Sequence, residues 1–444
     1  MWRNSVRSLA FHCVKGSTYY DTYQRNRPEM KRLRTDGPQL KHLAYFETLA
    51  EAVESSPEAL AATAGLLTLR LLDHWMLAGS VMVEPESVSV RSVRHAIMAM
   101  SGSDPCREVL LGLVNTMQTL RNVDVTPILP RLFAYGNLLE RHAAFALAVD
   151  VYSTTLRLAN EQYDGDLVLD AHLRLGHCER TLSRWDAAEH TLEEAGRLAK
   201  RRGEHSRAMR ARVGVAAVVL ARGNVPKAEK MLHLLVEECR AGGFAAELGQ
   251  ALHDSAIVAS VRGHNERAVL LAYESLQHTS EPAASERVLG DLGAFLIRME
   301  RFEAARDALL VLEGRATTEE VRVAARANLV AVAARSGDRA LFRASLARVA
   351  NATMTPIARV NYLIESARGF RRFGERGQAD SRLESARALA TEHQLNRATI
   401  EIDEMLAERP RKAASVPTTK AAPRGEPVAH VEGELRRLAA ALAG

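Results

Sequence analysis

Along LRLGHCERTLSRWDAAEHTLEEAGRLA, residues 173–199, apolar side chains recur at helical spacing on both sides of a short turn. The stretch predicts two amphipathic helices. The pattern then returns. RWDAAEHTL (184–192) matches RFEAARDAL (301–309), and VPKAEKMLHL (225–234) and NERAVLLAY (265–273) follow more loosely. A small residue recurs at Ala148, Ala188, Ala228 and Ala268, 40 residues apart each time. It continues at Ala305, Phe342 (a departure) and Ala379, 37 residues apart. Twelve residues before most of these stands another small residue: Gly136, Gly176, Ala216, Ala256 and Gly293. Four residues after stands a large one: Tyr152, Leu192, Leu232, Leu309 and Leu383, with Ala272 the weak copy.

The spacing has a direct physical reading. A glycine or alanine on the first helix lets the second helix's alanine come close, and the large residue one turn later fills the adjoining groove. One such hairpin cannot bury its apolar stripe alone. Stacked neighbours can, at roughly 1.5–3 kcal/mol per buried large side chain. Turn signals fall between the helices, at Arg222-Gly223-Asn224, Arg262-Gly263-His264-Asn265, Ser336-Gly337-Asp338 and Gly374–Gly377.

On Gly176, Ala188, Leu192 and Ala195 the chain resembles the tetratricopeptide repeat family, over about residues 129–395 in some seven copies. The resemblance implies an all-α fold, a right-handed superhelical α-solenoid of stacked antiparallel helix pairs. The family period is commonly about 34; 37–40 means longer helices. Such lengthened repeats resemble those of adaptors and of bacterial regulators that sense peptides or sugars.

Four stretches follow. Residues 1–38 read as a basic, poorly ordered N-terminal extension. Residues 39–124 read as degenerate helical hairpins, pairing 39–54 with 57–78 and 86–100 with 105–121, with Ser103 or Asp104 capping and Pro105 in the first turn. Residues 125–408 form the solenoid, closed by a capping helix over 397–408. Residues 409–444 are a Pro/Ala/Lys linker with a short amphipathic helix on Val431, Leu435, Leu438 and Leu442. Such a helix is marginal alone, so it folds against this solenoid or a partner, or it frays.

Composition narrows the class. Aromatics are only 5% and charged residues 25%, which suits close helix packing in a folded protein. The four cysteines form no CxxC pair, and the most apolar window, 61–83, is broken by Arg70, Asp73 and His74. A reducing cytoplasm and no membrane span are expected. The net charge of +5 is concentrated at the two ends: residues 1–41 carry +6 and 409–444 carry +4, so the body is acidic.

The candidate chemistry is sparse. HExxH, GxGxxG, GxxxxGK[ST] and GxSxG are all missing. Asp164, Asp166 and Asp170 lack the ligand spacing of a calcium loop, and Asp166 reads as a helix cap. His172 and His177 diverge on a helix, and Cys178 has no catalytic context. No metal, cofactor or catalytic residue is expected, and the protein is read as a non-enzyme. In the tetratricopeptide family first helices line a binding groove. The resemblance implies that Asn137, Asp170, Arg174, His177, Arg180, Arg210, Gln250, His253, Asp254, Arg287, Asp291 and Arg298 face it here. The family's carboxylate clamp is not matched: Asn137 fits, Arg174 stands at the second Asn position, and the lysines are missing. The expected function is a protein- or peptide-binding scaffold or adaptor. One alternative is a sensory or regulatory subunit that binds a peptide or small ligand. Another is a nucleic-acid-associated protein acting through its basic tails.

Overall fold

The computed structural model describes residues 41–78, 87–120, 124–392, 395–407 and 426–443. The N-terminal extension and the linker lie outside the described residues. The described chain folds into twenty helices in two compact units that divide between Leu167 and Val168.

The first unit holds α1 (Leu43–Glu51), α2 (Pro57–Ala78), α3 (Val88–Ala99), α4 (Pro105–Thr119), α5 (Leu129–Arg141) and α6 (Phe145–Leu158). Sequence neighbours pack as hairpins, and α1 also touches α6. Asp104 caps α4 by accepting from the Cys106 N–H, with Pro105 in the first turn. Gly65 on α2 faces the Tyr45–Tyr135 pair, whose hydroxyls are 3.1 Å apart; a Cβ there would meet the Tyr135 oxygen. His42, ahead of α1, is buried between two carboxylates. Its Nδ1 is 2.6 Å from Asp150 and its Nε2 3.2 Å from Asp73. Lys41 and Arg157 add further pairs to Asp73.

The second unit holds the remaining pairs, with the unit boundary in the first turn of α7. They are α7 (Gly165–Thr181) with α8 (Trp185–Arg202), α9 (His205–Ala221) with α10 (Val225–Gly242), and α11 (Ala245–Val261) with α12 (Asn265–His278). Next come α13 (Pro282–Arg298) with α14 (Phe302–Arg315), α15 (Glu319–Ser336) with α16 (Arg339–Val349), and α17 (Pro356–Arg372) with α18 (Arg376–Glu392). Then α19 (Asn396–Ala407) packs on α17 and α18 and closes the end with buried Ile402 and Met405, and α20 (Glu426–Ala443) follows. Within each unit the described residues are thus all-α, arranged as antiparallel helix pairs. Gly223 and Gly263 turn the chain in left-handed backbone, where a Cβ would be strained.

The register read from the sequence is the register of the core. Ala148, Ala188, Ala228, Ala268, Ala305, Phe342 and Ala379 are all fully buried. The role of the earlier glycine differs from expectation. A Cβ on Gly176 would strike Leu192 at 2.6 Å, and one on Gly136 would strike the Tyr152 ring at the same distance. The glycine makes room for the large residue, not for the alanine. At the departure the solution is inverted: a Cβ on Gly369 of α17 would lie 2.2 Å from the Phe342 ring. Phe342 therefore stands where alanine is usual, and the following first helix gives way. Asp166 lies inside the first turn of α7 and does not precede it, so the expected cap is corrected.

The C-terminal helix docks in cis. It packs on α14 and α12, burying Val428 and placing Val431 and Leu435 in the same core as Leu309 and Leu312. Glu432 lies 3.6 Å from Arg301, and His430 meets Tyr273 edge to face. Among the described residues no helix is long and apolar enough to cross a membrane.

Candidate functional site

First helices supply the candidate surface because their turns place every third or fourth side chain on one face. Eleven of the twelve expected residues lie on the first helices of the second unit, on α7, α9, α11 and α13. Asn137 lies on α5 in the first unit. Its Oδ1 accepts the Tyr152 hydroxyl at 2.6 Å, with Glu140 3.0 Å from the same oxygen.

The eleven divide by role. One set forms rungs between successive first helices. Arg207 of α9 donates two bonds to Asp170 of α7, at 3.0 and 3.1 Å. Arg210 of α9 reaches Glu247 of α11 at 3.0 Å, and Ser206 donates to the same carboxylate. His253 Nε2 of α11 lies 2.8 Å from Asp291 of α13, and Arg298 of α13 bonds Ser260 of α11. Glu247 is 4% exposed and His253 5%, so these rungs are built into the packing. Arg207, Glu247 and Ser260 were not among the expected residues. The signal for them is in the sequence, because the rung partners stand 37 or 38 residues apart, one repeat.

The other set gathers charge. Arg180 donates to His177 Nδ1 at 3.2 Å. Burial, followed by the charges of Arg180, Arg287 and Arg174, pushes the His177 pKa down to about 4. The imidazole is therefore neutral at neutral pH. Asp254 of α11 sits next to this cluster. Burial raises its pKa against the pull of His253, Arg180, the Gln250 bond and Arg287. Its Oδ1 accepts from Gln250 at 3.1 Å, while its buried Oδ2 has no hydrogen-bond partner among the described residues. Arg174 and Arg287 are exposed.

The side chains that act on one another here are thus three guanidiniums, a neutral imidazole and a buried carboxyl, from α7, α11 and α13. Among the described residues no group of three or more His, Cys, Asp or Glu is placed to hold a metal ion.

No family model matches the chain, and no curated protein matches it. Solved structures similar to it include the Rap conjugation gene regulator of plasmid pLS20 in complex with the Phr* peptide. That likeness has 12% identity and a TM-score of 0.48, covering 79% of this chain and 99% of the other. The apo quorum sensor NprR from B. thuringiensis is similar at 14% identity and TM-score 0.46, over 87% of this chain and 96% of that one. A kinesin light chain of TPR-like repeats from Podosopora anserina is similar at 16% identity and TM-score 0.31, over 51% and 96%.

Proposed function

We propose that the groove between α7 and α13 receives an anionic segment of a peptide or protein, and that the chain is a non-enzymatic scaffold or adaptor. What supports this is the bond from Arg180 to His177 Nδ1 at 3.2 Å, with the charges of Arg287 and Arg174 acting on the same imidazole. Guanidiniums recognise carboxylates and phosphates through paired, directional bonds. Two of the three arginines are exposed, which supports a surface open to solvent and to a ligand.

The test is capture of proteins from a lysate of the native host, with nuclease present. Wild type is compared with Arg174→Glu/Arg287→Glu. The variant keeps its helicity and loses its partners. A partner held equally by both would sink the groove assignment. Arg210 is left intact, because its charge sits on the buried Glu247.

A sensory reading is favoured by one further observation. The C-terminal helix docks on α12 and α14, and their hairpin mates α11 and α13 bear Asp254 and Arg287. Ligand in the groove would then alter the protection of α20. Hydrogen exchange of residues 426–443, with and without a captured ligand, decides it; unchanged exchange leaves the scaffold reading alone.

A further inference from the structure

The far end of the second unit has a chemistry that the groove does not use. Residues 335–387 contain eleven arginines, no lysine and five acids. Four of the arginines lie over aromatic rings of α17 or of Phe373, which follows it. Arg343 stands over Phe370 at 5.5 Å and Arg382 over the same ring at 5.9 Å. Arg382 also stands over Tyr362, at 5.9 Å, and Arg359 covers Tyr362 at 5.4 Å. Arg339 lies over Phe373 at 5.9 Å. The rings of Phe370 and Tyr362 are buried, so the guanidiniums form the outer layer of a strip running from α16 across α17 to α18.

Arg348, Arg368 and Arg387 pair with Glu313, Glu401 and Asp403 from outside this stretch, but acids do not cover the whole strip. Glu375 is shared by Arg339 at 3.0 Å and Arg343. Glu365 pairs with Arg335 at 2.6 Å, and Asp380 with Arg371 at 3.1 Å. Arg359, Arg376 and Arg382 have no acidic partner among the described residues. Beside Arg359 opens a shallow recess of about 390 Å³ with Met354, Pro356 and Leu389 in its wall. Guanidiniums held 5.4–5.9 Å from ring centroids lose less freedom on binding a carboxylate, and Arg359 and Arg382 keep theirs clear of acids. The two features adjoin through Arg359, which belongs to both.

We propose that the strip formed by Arg343, Arg359 and Arg382, with the recess beside Arg359, docks an acidic segment of a partner protein that carries an apolar anchor residue. Three features favour a protein partner over nucleic acid. Met354, Pro356 and Leu389 give the recess an apolar side facing Asn351 and Arg359, the rings lie beneath the guanidiniums where no base can stack on them, and Glu375 already shows a carboxylate gripped by Arg343 and its neighbour Arg339. The site is separate from the groove.

The test uses the full chain and fluorescence anisotropy with labelled glutamate-rich peptides, each carrying one leucine at a different position. At least one peptide binds, and raising salt weakens it. Arg359→Gln/Arg382→Gln weakens it by about tenfold or more, the loss of charged hydrogen bonds, and replacing the leucine by alanine weakens it as well. Thermal melts confirm that the variant is folded, and Arg359→Lys/Arg382→Lys recovers part of the loss. Arg174→Glu/Arg287→Glu leaves this binding unchanged, which separates the site from the groove. Failure of every peptide to bind, equal binding by the glutamine variant, or binding of a DNA duplex in preference to all peptides would each overturn the proposal.

Discussion

The crossing at Gly176–Leu192 and the crossing at Phe342–Gly369 solve one packing problem in opposite ways. In the first, the first helix is bare and the second helix's leucine fills the gap. In the second, a phenylalanine occupies the position held elsewhere by alanine, and the glycine has moved to the next first helix. The surroundings differ in step. Around α7 to α13 charged rungs tie neighbouring first helices. Around α15 to α18 large rings fill the core, Phe342 meeting Phe370 at 5.2 Å, and arginines lie on top. The repeat thus constrains total volume at the crossing, not the identity of either partner. Where Phe342 supplies the volume, the neighbouring polar layer is arginine on aromatic.

The largest effect that would break this comparison is at the inverted crossing. Phe342→Ala should cost about 3–5 kcal/mol, and Gly369→Ala about 1–3 kcal/mol through overpacking. In the Phe342→Ala background, Gly369→Ala should become neutral or stabilising, because its obstacle is gone. Denaturant titration of the four chains gives the coupling; simple additivity would show that the two positions do not compensate each other.

Next in size are the rungs. Glu247→Ala strands Arg210 and Ser206, and should cost about 1.5–3 kcal/mol by thermal melting. A loss within 0.5 kcal/mol would mean the rungs decorate the array without holding it.

The first unit sharpens the contrast, since its polar tie is a buried imidazole. Burial opposes the charge on His42, but the bonds to Asp150 and Asp73 outweigh it and raise the pKa above 6.5. A raised folded-state value contributes stability that is complete below 6.5 and is lost as pH rises through the folded pKa. Asp73 works in the other direction. Its carboxyl is itself partly buried, but the bond to His42 leads the effects that hold it at about 2, so its contribution is present above 3.8 and is lost as pH falls towards 2. Melting of the first unit should therefore weaken above neutral pH, and His42→Gln should flatten that slope. An unchanged slope in His42→Gln would reject the assignment.

The smallest effect on stability belongs to the groove. Arg174→Glu/Arg287→Glu should change the melt by less than about 0.5 kcal/mol. It should nevertheless move the His177 titration upward from about 4, which imidazole NMR shifts would record. A fixed titration would place the guanidiniums elsewhere.

Much of the array is legible in the sequence because its core is periodic. Alanines at fixed spacing must all face the same crossing, and they do. The compensation of Phe342 by Gly369 is harder to read, because the two stand 27 residues apart and belong to different hairpins. The rungs escape a reading that treats each first helix as a separate face; opposite charges one repeat apart would have shown Arg207 with Asp170 and Arg210 with Glu247. Of the expected groove residues, His177, Arg174, Arg180 and Arg287 act on one another across different repeats, which no single repeat displays. Docking of α20 could not be read from its apolar spacing, which shows a face that needs covering without naming the cover.

That docking has a consequence for how the array comes apart. A linear stack of repeats frays from its ends, because the last repeat has only one neighbour. Here the last helix is pinned near the middle, on α12 and α14, while α15 to α19 lie between the two attachment points in sequence. Those five helices are thereby closed into a loop. Opening any of them while α20 stays bound releases less chain entropy than opening a free end. The C-terminal repeats are thus tied to the central ones through one helix with Val431 and Leu435 at its centre.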